Sequence, residues 1–154
     1  MNPISIRDGH DDDREWAARL MASSDPWLTL GRGYADCLAA CRYPLDDLLV
    51  AETNADRCGF VLVRPRGVAG SPYIVSIAVA PAFRSQGVGR VMIDDVVRRW
   101  TPRARYLFLC VSSFNARAQT MYLREGFVQV GDLPDLCVDG ASEMLMCRRL
   151  APGA

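Results

Sequence analysis

Apolar residues change their period along this chain, and the changes mark its elements. Ile4–Asp8 (ISIRD) alternates apolar and polar and predicts a first strand. From Asp11 to Ala22 the pattern is helical, with Trp16, Leu20 and Met21 on one side. Ser23–Trp27 (SSDPW) breaks it, because Pro26 disfavours helical backbone at Asp25. A second helix is expected over Leu30–Cys41. Leu48–Thr53 and Cys58–Pro65 are β-rich runs around the polar turn NADR and predict a hairpin, with PRGVAGSP as a following loop. Tyr73–Pro81 (YIVSIAVAP) is so apolar that it predicts a central strand covered on both faces. A helix should run from Gly87 to Trp100, since Val88, Val91, Met92, Val96 and Val97 lie near helical spacing. Tyr106–Ser113 is another strand. Asn115 suits the cap of a helix reaching Glu125, and Gly126 suits its end. Phe127–Asp132 and Glu143–Leu150 are the last strands. The order β-α-α-β-β-β-α-β-α-β-β predicts an α/β (α+β) fold: one mixed, mostly antiparallel sheet with helices on both faces. Neither a repeat nor a linker interrupts it, so residues 1–154 are expected to form a single domain.

Composition narrows the function classes. Of 154 residues, Lys+Arg and Asp+Glu each number 18, so no net charge draws the chain to nucleic acid or to an anionic membrane. The acidic run Asp11, Asp12, Asp13 and the basic group Arg98, Arg99, Arg103, Arg105 read as solvated surface. The six cysteines (Cys37, Cys41, Cys58, Cys110, Cys137, Cys147) and the single histidine, His10, lack zinc-ligand spacing, so no metal is expected. MNPISIRDGHDDD has no apolar signal segment, which predicts a cytoplasmic protein with free thiols. No apolar stretch reaches the roughly 18 residues of a membrane span.

The stretch Phe83–Val97 (FRSQGVGRVMIDDVV) carries the first candidate chemistry. Gly87 and Gly89 free the backbone at a helix start, where N–H groups from Ser85 to Arg90 can converge on an anion. Arg84 and Arg90 add positive charge. The spacing is neither GxGxxG nor a P-loop. A second stretch, Asn115–Phe127 (NARAQTMYLREGF), holds N-x-x-A-x-x-x-Y-x-x-x-G-F, with Asn115 and Tyr122 two turns apart on one helix face.

Together the two stretches resemble the GNAT acetyltransferase superfamily. Its phosphate-binding pattern, R/Q-x-x-G-x-G/A, is met by Arg84, Gly87 and Gly89, and its second pattern by Asn115, Ala118, Tyr122, Gly126 and Phe127. The resemblance is specific from Tyr73 to Phe127 and implies a GNAT-type sheet. It further implies transfer of an acetyl group from acetyl-CoA to a primary amine of a small molecule or of a peptide or protein N-terminus, by direct attack. The turn formed by Arg84, Ser85, Gln86, Gly87, Val88, Gly89 and Arg90 would hold the pyrophosphate. The strand edge at Ile77, Ala78 and Val79 would pair with the pantetheine arm, and the Val79 N–H would polarise the thioester carbonyl. Asn115 would bond the pantetheine, Arg117 would reach the adenosine end, and Tyr122 would serve the leaving sulfur. A phenol with a pKa near about 10 is a weak acid toward a thiolate near about 8.5, so concerted donation or a hydrogen bond to sulfur fits Tyr122 best. Homodimers are common in the family, so the resemblance also admits a homodimer.

The sequence departs from the family where the base belongs. Tyr73 and Cys110 occupy the strand positions where relatives place a glutamate. Cys110 is expected to have a raised thiol pKa, which disfavours it as a nucleophile. A water chain touching Ser76 or Ser112, or a carboxylate from elsewhere, would take the proton, with Glu52 and Glu143 as unranked candidates. Acceptor binding is expected from Trp16–Cys41, including Trp27, Arg32 and Tyr34, and from Leu133–Ser142, whose Asp135 and Asp139 would suit a cationic amine. The alternative reading is a non-catalytic acyl-CoA-binding sensor or interaction module.

Overall fold

The computed structural model describes residues 2–151. Its strands are β1 (Ser5–Asp8), β2 (Asp47–Thr53), β3 (Asp56–Val68), β4 (Ser71–Val79), β5 (Tyr106–Ser112), β6 (Val128–Pro134) and β7 (Ser142–Arg149). Its helices are α1 (Asp11–Ala22), α2 (Tyr34–Cys41), α3 (Val88–Trp100) and α4 (Ala116–Arg124), with one 3-10 turn at Pro81–Phe83. The strands form one sheet in the order β1-β2-β3-β4-β5-β7-β6, and only β4 and β5 are parallel neighbours.

Side-chain alternation along β2 and β3 divides the core between the two faces. Leu49, Ala51, Val61 and Val63 pack with Met92, Ile93 and Val96 of α3 and Tyr122 of α4. Leu48, Val50, Phe60 and Leu62 pack with Ala17, Ala18, Leu20 and Met21 of α1 and with Cys37 and Cys41 of α2. The expected element order and two-faced architecture hold. Three expectations differ. Gly31 takes φ +69° and the chain between Ser24 and Arg32 folds into successive turns, so the second helix starts at Tyr34 rather than Leu30. PRGVAGSP is mostly strand: β3 continues to Val68 and turns at Ala69 and Gly70, both at positive φ. Finally, β4 is not covered on both faces, since Tyr73, Val75 and Ile77 are half-buried where Ile74 and Ser76 are buried.

The acidic run is not all solvated surface either. Asp13 is fully buried, and its carboxylate meets Arg7 at 2.7 Å, Arg57 at 2.8 Å and the His10 N–H at 2.8 Å. Chiefly the hydrogen bond from Arg7 holds its carboxyl down, from the usual 3.8 to about 2, against the opposing effect of burial. A carboxyl depressed in the folded state stabilises the fold above its unfolded pKa, and that contribution fades as pH falls through the folded value. Acid titration followed by circular dichroism is therefore expected to lose a component of stability between pH about 4 and about 2. Asp13→Asn should remove that component and cost about 2 kcal/mol at neutral pH, because two part-buried guanidinium groups each lose one of their two carboxylate partners. The six cysteines are free: Cys37, Cys41, Cys58 and Cys147 are buried, and Cys110 and Cys137 are half-buried.

Candidate active site

The parallel strands β4 and β5 pair only at Tyr73–Phe108 and Ile74–Leu109. Beyond Ile74 they diverge, although β4 stays paired with β3 as far as Val79. A bulge contributes to this. Leu62 faces Ser76 and Val63 faces Ile74, which leaves Val75 as an extra residue that bends the strand. The Ala80 N–H bonds to the Cys58 carbonyl on β3, so alternation turns the Val79 N–H and C=O the other way, into the gap. The gap opens into a cleft of about 1410 Å³.

The glycine turn closes one end of this cleft. Gly87 caps α3 in the left-handed region at φ +83°, and Ser85 also lies at positive φ, +61°. That backbone turns successive N–H groups toward one side. A Cβ on Gly89 would stand 3.1 Å from Met121 Sδ, so glycine here lets α3 approach α4 closely. Arg90 is largely exposed beside the cleft, 3.8 Å from Asp94. Arg84 is engaged within the protein: its Nε donates to the Val79 carbonyl at 3.2 Å and its Nη2 to Ser24 Oγ at 3.3 Å. It ties the turn after α1 to the end of β4. Arg117 Nη2 donates to Ser85 Oγ at 2.8 Å and joins α4 to the glycine turn. Gln86 alone of the expected turn residues does not line the cleft; its side chain donates to the Ala82 carbonyl instead.

Asn115 caps α4, its Oδ1 accepting from the Ala118 N–H at 3.3 Å, which leaves its NH₂ free. Tyr122 is buried on α4, with its ring edge-on to Phe127 at 5.9 Å. Its side chain lines the cleft, and burial pushes its phenol above the ordinary value of 10.0. The expected residues Ile77, Ala78, Val79, Ser85, Gly87, Val88, Gly89, Arg90, Asn115, Arg117 and Tyr122 meet around this one opening.

The cleft continues to the α1–α2 face of the sheet. There Tyr73, Cys110 and Ser112 share a face, since Tyr73 pairs with Phe108 and side chains alternate along β5. Burial pushes the Tyr73 phenol and the Cys110 thiol up, so neither is an anion at neutral pH. Directly across the sheet from Ser112 stands Glu143 of β7, 8% exposed and lining the cleft. Ser112 Oγ is the one fully buried side-chain polar atom without a partner among the described residues. The two glutamate candidates thus separate. Glu52 is paired with Arg7 at 2.7 Å on the β1–β2 edge, whereas Glu143 faces the cleft with no ion-pair partner among the described residues. From the expected acceptor segments, Trp27 and Arg32 line the cleft, and Tyr34, Asp135 and Asp139 do not. Asp135 is turned onto its own loop, accepting from the Gly140 N–H at 2.7 Å. Sequence reasoning missed the Ser112–Glu143 pairing because the cross-strand register of β5 and β7 leaves no local signal.

The sheet is thus parted between its two parallel strands, with the glycine turn at one end of the gap and the Tyr122 phenol beside it. Residues 44–129 match the family model of the Acetyltransferase (GNAT) domain. The chain belongs to the GNAT acetyltransferase family, N-acetyltransferases whose donor is acetyl-CoA. A GNAT-family protein from Desulfovibrio desulfuricans superposes with a TM-score of 0.78 at 22% identity, covering 97% of this chain and 100% of the other. Nourseothricin acetyltransferase shares 31% identity at a TM-score of 0.63, over 70% of this chain and 66% of its own. The ribosomal-protein-S18-alanine N-acetyltransferase of Escherichia coli has a TM-score of 0.78 at 18% identity, over 99% and 97%. No curated protein matches the chain in sequence. Among the described residues no helix is long and apolar enough to cross a membrane, and no cluster of metal-ligating side chains is present.

Proposed function

We propose that this protein acetylates the primary amine of a small molecule or a peptide N-terminus by direct attack on acetyl-CoA, with residues 1–154 acting as one domain. The observation that carries this reading is the short β4–β5 pairing, which leaves the Val79 N–H unpaired between the glycine turn and Tyr122. The pyrophosphate rests on the N–H groups of Ser85–Arg90, aided by the positive end of the α3 dipole and by Arg90. The pantetheine runs along the open edge at Ile77 and Val79, and Asn115 donates to it. The Val79 N–H bonds the thioester oxygen and stabilises the charge that gathers there in the tetrahedral intermediate.

The donor enters from the α3–α4 side and the acceptor from the α1–α2 side, so they meet in the gap. The acceptor ammonium gives one proton to Glu143, directly or through a water held by Ser112 Oγ. The neutral nitrogen adds to the thioester carbon, the C–S bond breaks, and coenzyme A leaves as a thiol with the proton that Tyr122 supplies. The second nitrogen proton restores the phenol, and the proton on Glu143 passes to solvent. Cys110 forms no acyl intermediate, because its thiol is held protonated by burial. Six free thiols suit a reducing cytoplasm.

The test is coenzyme A release measured with a thiol reagent across a panel of primary amines. Release that depends on the amine supports the transferase. Tight acetyl-CoA binding with no release from any amine points instead to a binding module.

A further inference from the structure

Apart from the charges around the glycine turn and from Arg124 and Glu125 at the end of α4, four charged side chains line the cleft, and two are already committed. Asp25 Oδ1 accepts from the Thr29 N–H at 3.1 Å and from its hydroxyl at 2.7 Å, and Asp36 Oδ2 accepts from the Gly33 N–H at 3.3 Å. Arg32 and Glu143 remain. Both line the cleft, and neither has an ion-pair partner among the described residues. They approach it from opposite sides, Arg32 from the turn that leads into α2 and Glu143 from the sheet floor. The Cys137 thiol lines the same cleft and feels both charges: burial raises its pKa most, the field of Glu143 raises it further, and that of Arg32 lowers it. One cation and one anion thus face a shared space without closing on each other, which leaves each to a ligand group of opposite sign.

Resting on the acetyltransferase reading, we propose that the acceptor is an amine of the amino-acid class, carrying a carboxylate a few bonds from its primary amine. Glu143 receives the ammonium beside Cys110 and Ser112, where its proton must leave. Arg32 receives the carboxylate and sets the acceptor's orientation. Trp27 and Val75, half-buried on the same side, leave an apolar wall for the remainder of the molecule. A polyamine would place its second cation toward Arg32, and that repulsion selects against it. Arg32 acts here as a specificity residue: it binds the acceptor and takes no part in bond-making.

The test compares standard L-amino acids, their primary amides and spermidine as acceptors, read by coenzyme A release, for the wild type and for Arg32→Gln. The wild type is expected to favour the best amino acid over its own amide by about tenfold or more in kcat/KM, the size of one charge-assisted contact. Arg32→Gln should collapse that ratio toward one, by raising KM for the acid rather than by lowering kcat. Arg32 is exposed and its side chain bonds to none of the described residues, so the melting temperature checks that the variant is intact. Amides or spermidine used as well as the acids, or an Arg32→Gln effect equal on acid and amide, overturns the proposal alone. No release from these acceptors together with release from another primary amine or a peptide N-terminus overturns the proposal alone, whereas acetyl-CoA binding with no release from any amine overturns the transferase reading and the proposal with it.

Discussion

Gly89→Leu is expected to weaken acetyl-CoA binding by about a hundredfold, equivalent to about 2.7 kcal/mol, while the protein stays folded. Gly89 is buried at the start of α3 and lines the cleft at the proposed diphosphate site. The new side chain would fill that floor and hold the donor's phosphates off the N–H groups. Its Cβ would also meet Met121 Sδ at 3.1 Å, but a thioether end yields readily, so the cost to the fold is modest. Gly87→Ala makes an informative comparison. No atom lies within 4 Å of its Cβ, yet φ is +83°, so strain of about 1–2 kcal/mol falls on the turn itself. Titration calorimetry with acetyl-CoA and thermal melts on both variants separate a blocked site from a distorted turn. Unchanged affinity in Gly89→Leu would place the phosphates elsewhere.

Tyr122→Phe carries the second large effect: a fall in kcat of about a hundredfold with little change in KM for acetyl-CoA. The phenylalanine keeps the edge-on contact with Phe127 and its place in the core, so only the hydroxyl is lost. Burial pushes this phenol above 10.0, so it stays protonated through the neutral range, the state that the proposed donation to the departing sulfur requires. The wild-type pH–rate profile should therefore show no loss of activity from Tyr122 ionisation below pH about 10. An undiminished kcat in the variant would leave the thiolate to solvent and remove Tyr122 from the chemistry.

Much of this site was legible because its parts are local. The glycine turn and the run from Asn115 to Phe127 each combine a helix start with neighbours in sequence, and both fold as their residue types require. The element order followed from periodicity for the same reason. What escaped depends on distant pairings. The run YIVSIAVAP is apolar throughout, yet a bulge at Val75 and the early end of the β4–β5 pairing leave part of it facing a cleft. Asp13 looked solvated among its acidic neighbours, but Arg7 and Arg57 reach it from separate strands. Arg84 lines the cleft as expected, and its bonds to Val79 and Ser24, which tie it to β4 and to the turn after α1, were not legible in the sequence. Glu143 could be ranked over Glu52 only when strand register set it opposite Ser112 and placed Arg7 beside Glu52. Tyr34, Asp135 and Asp139 lay on the expected segments but outside the cleft, since the sequence of a loop does not fix which way its side chains turn.

A crystal structure of the protein with coenzyme A tests the central claim most directly. The account predicts diphosphate oxygens within hydrogen-bond distance of the main-chain N–H groups between Ser85 and Arg90, the pantetheine in the gap between β4 and β5, and the sulfur beside the Tyr122 hydroxyl. Coenzyme A bound away from that turn, or β4 and β5 paired through Val79 with the gap closed, would contradict it.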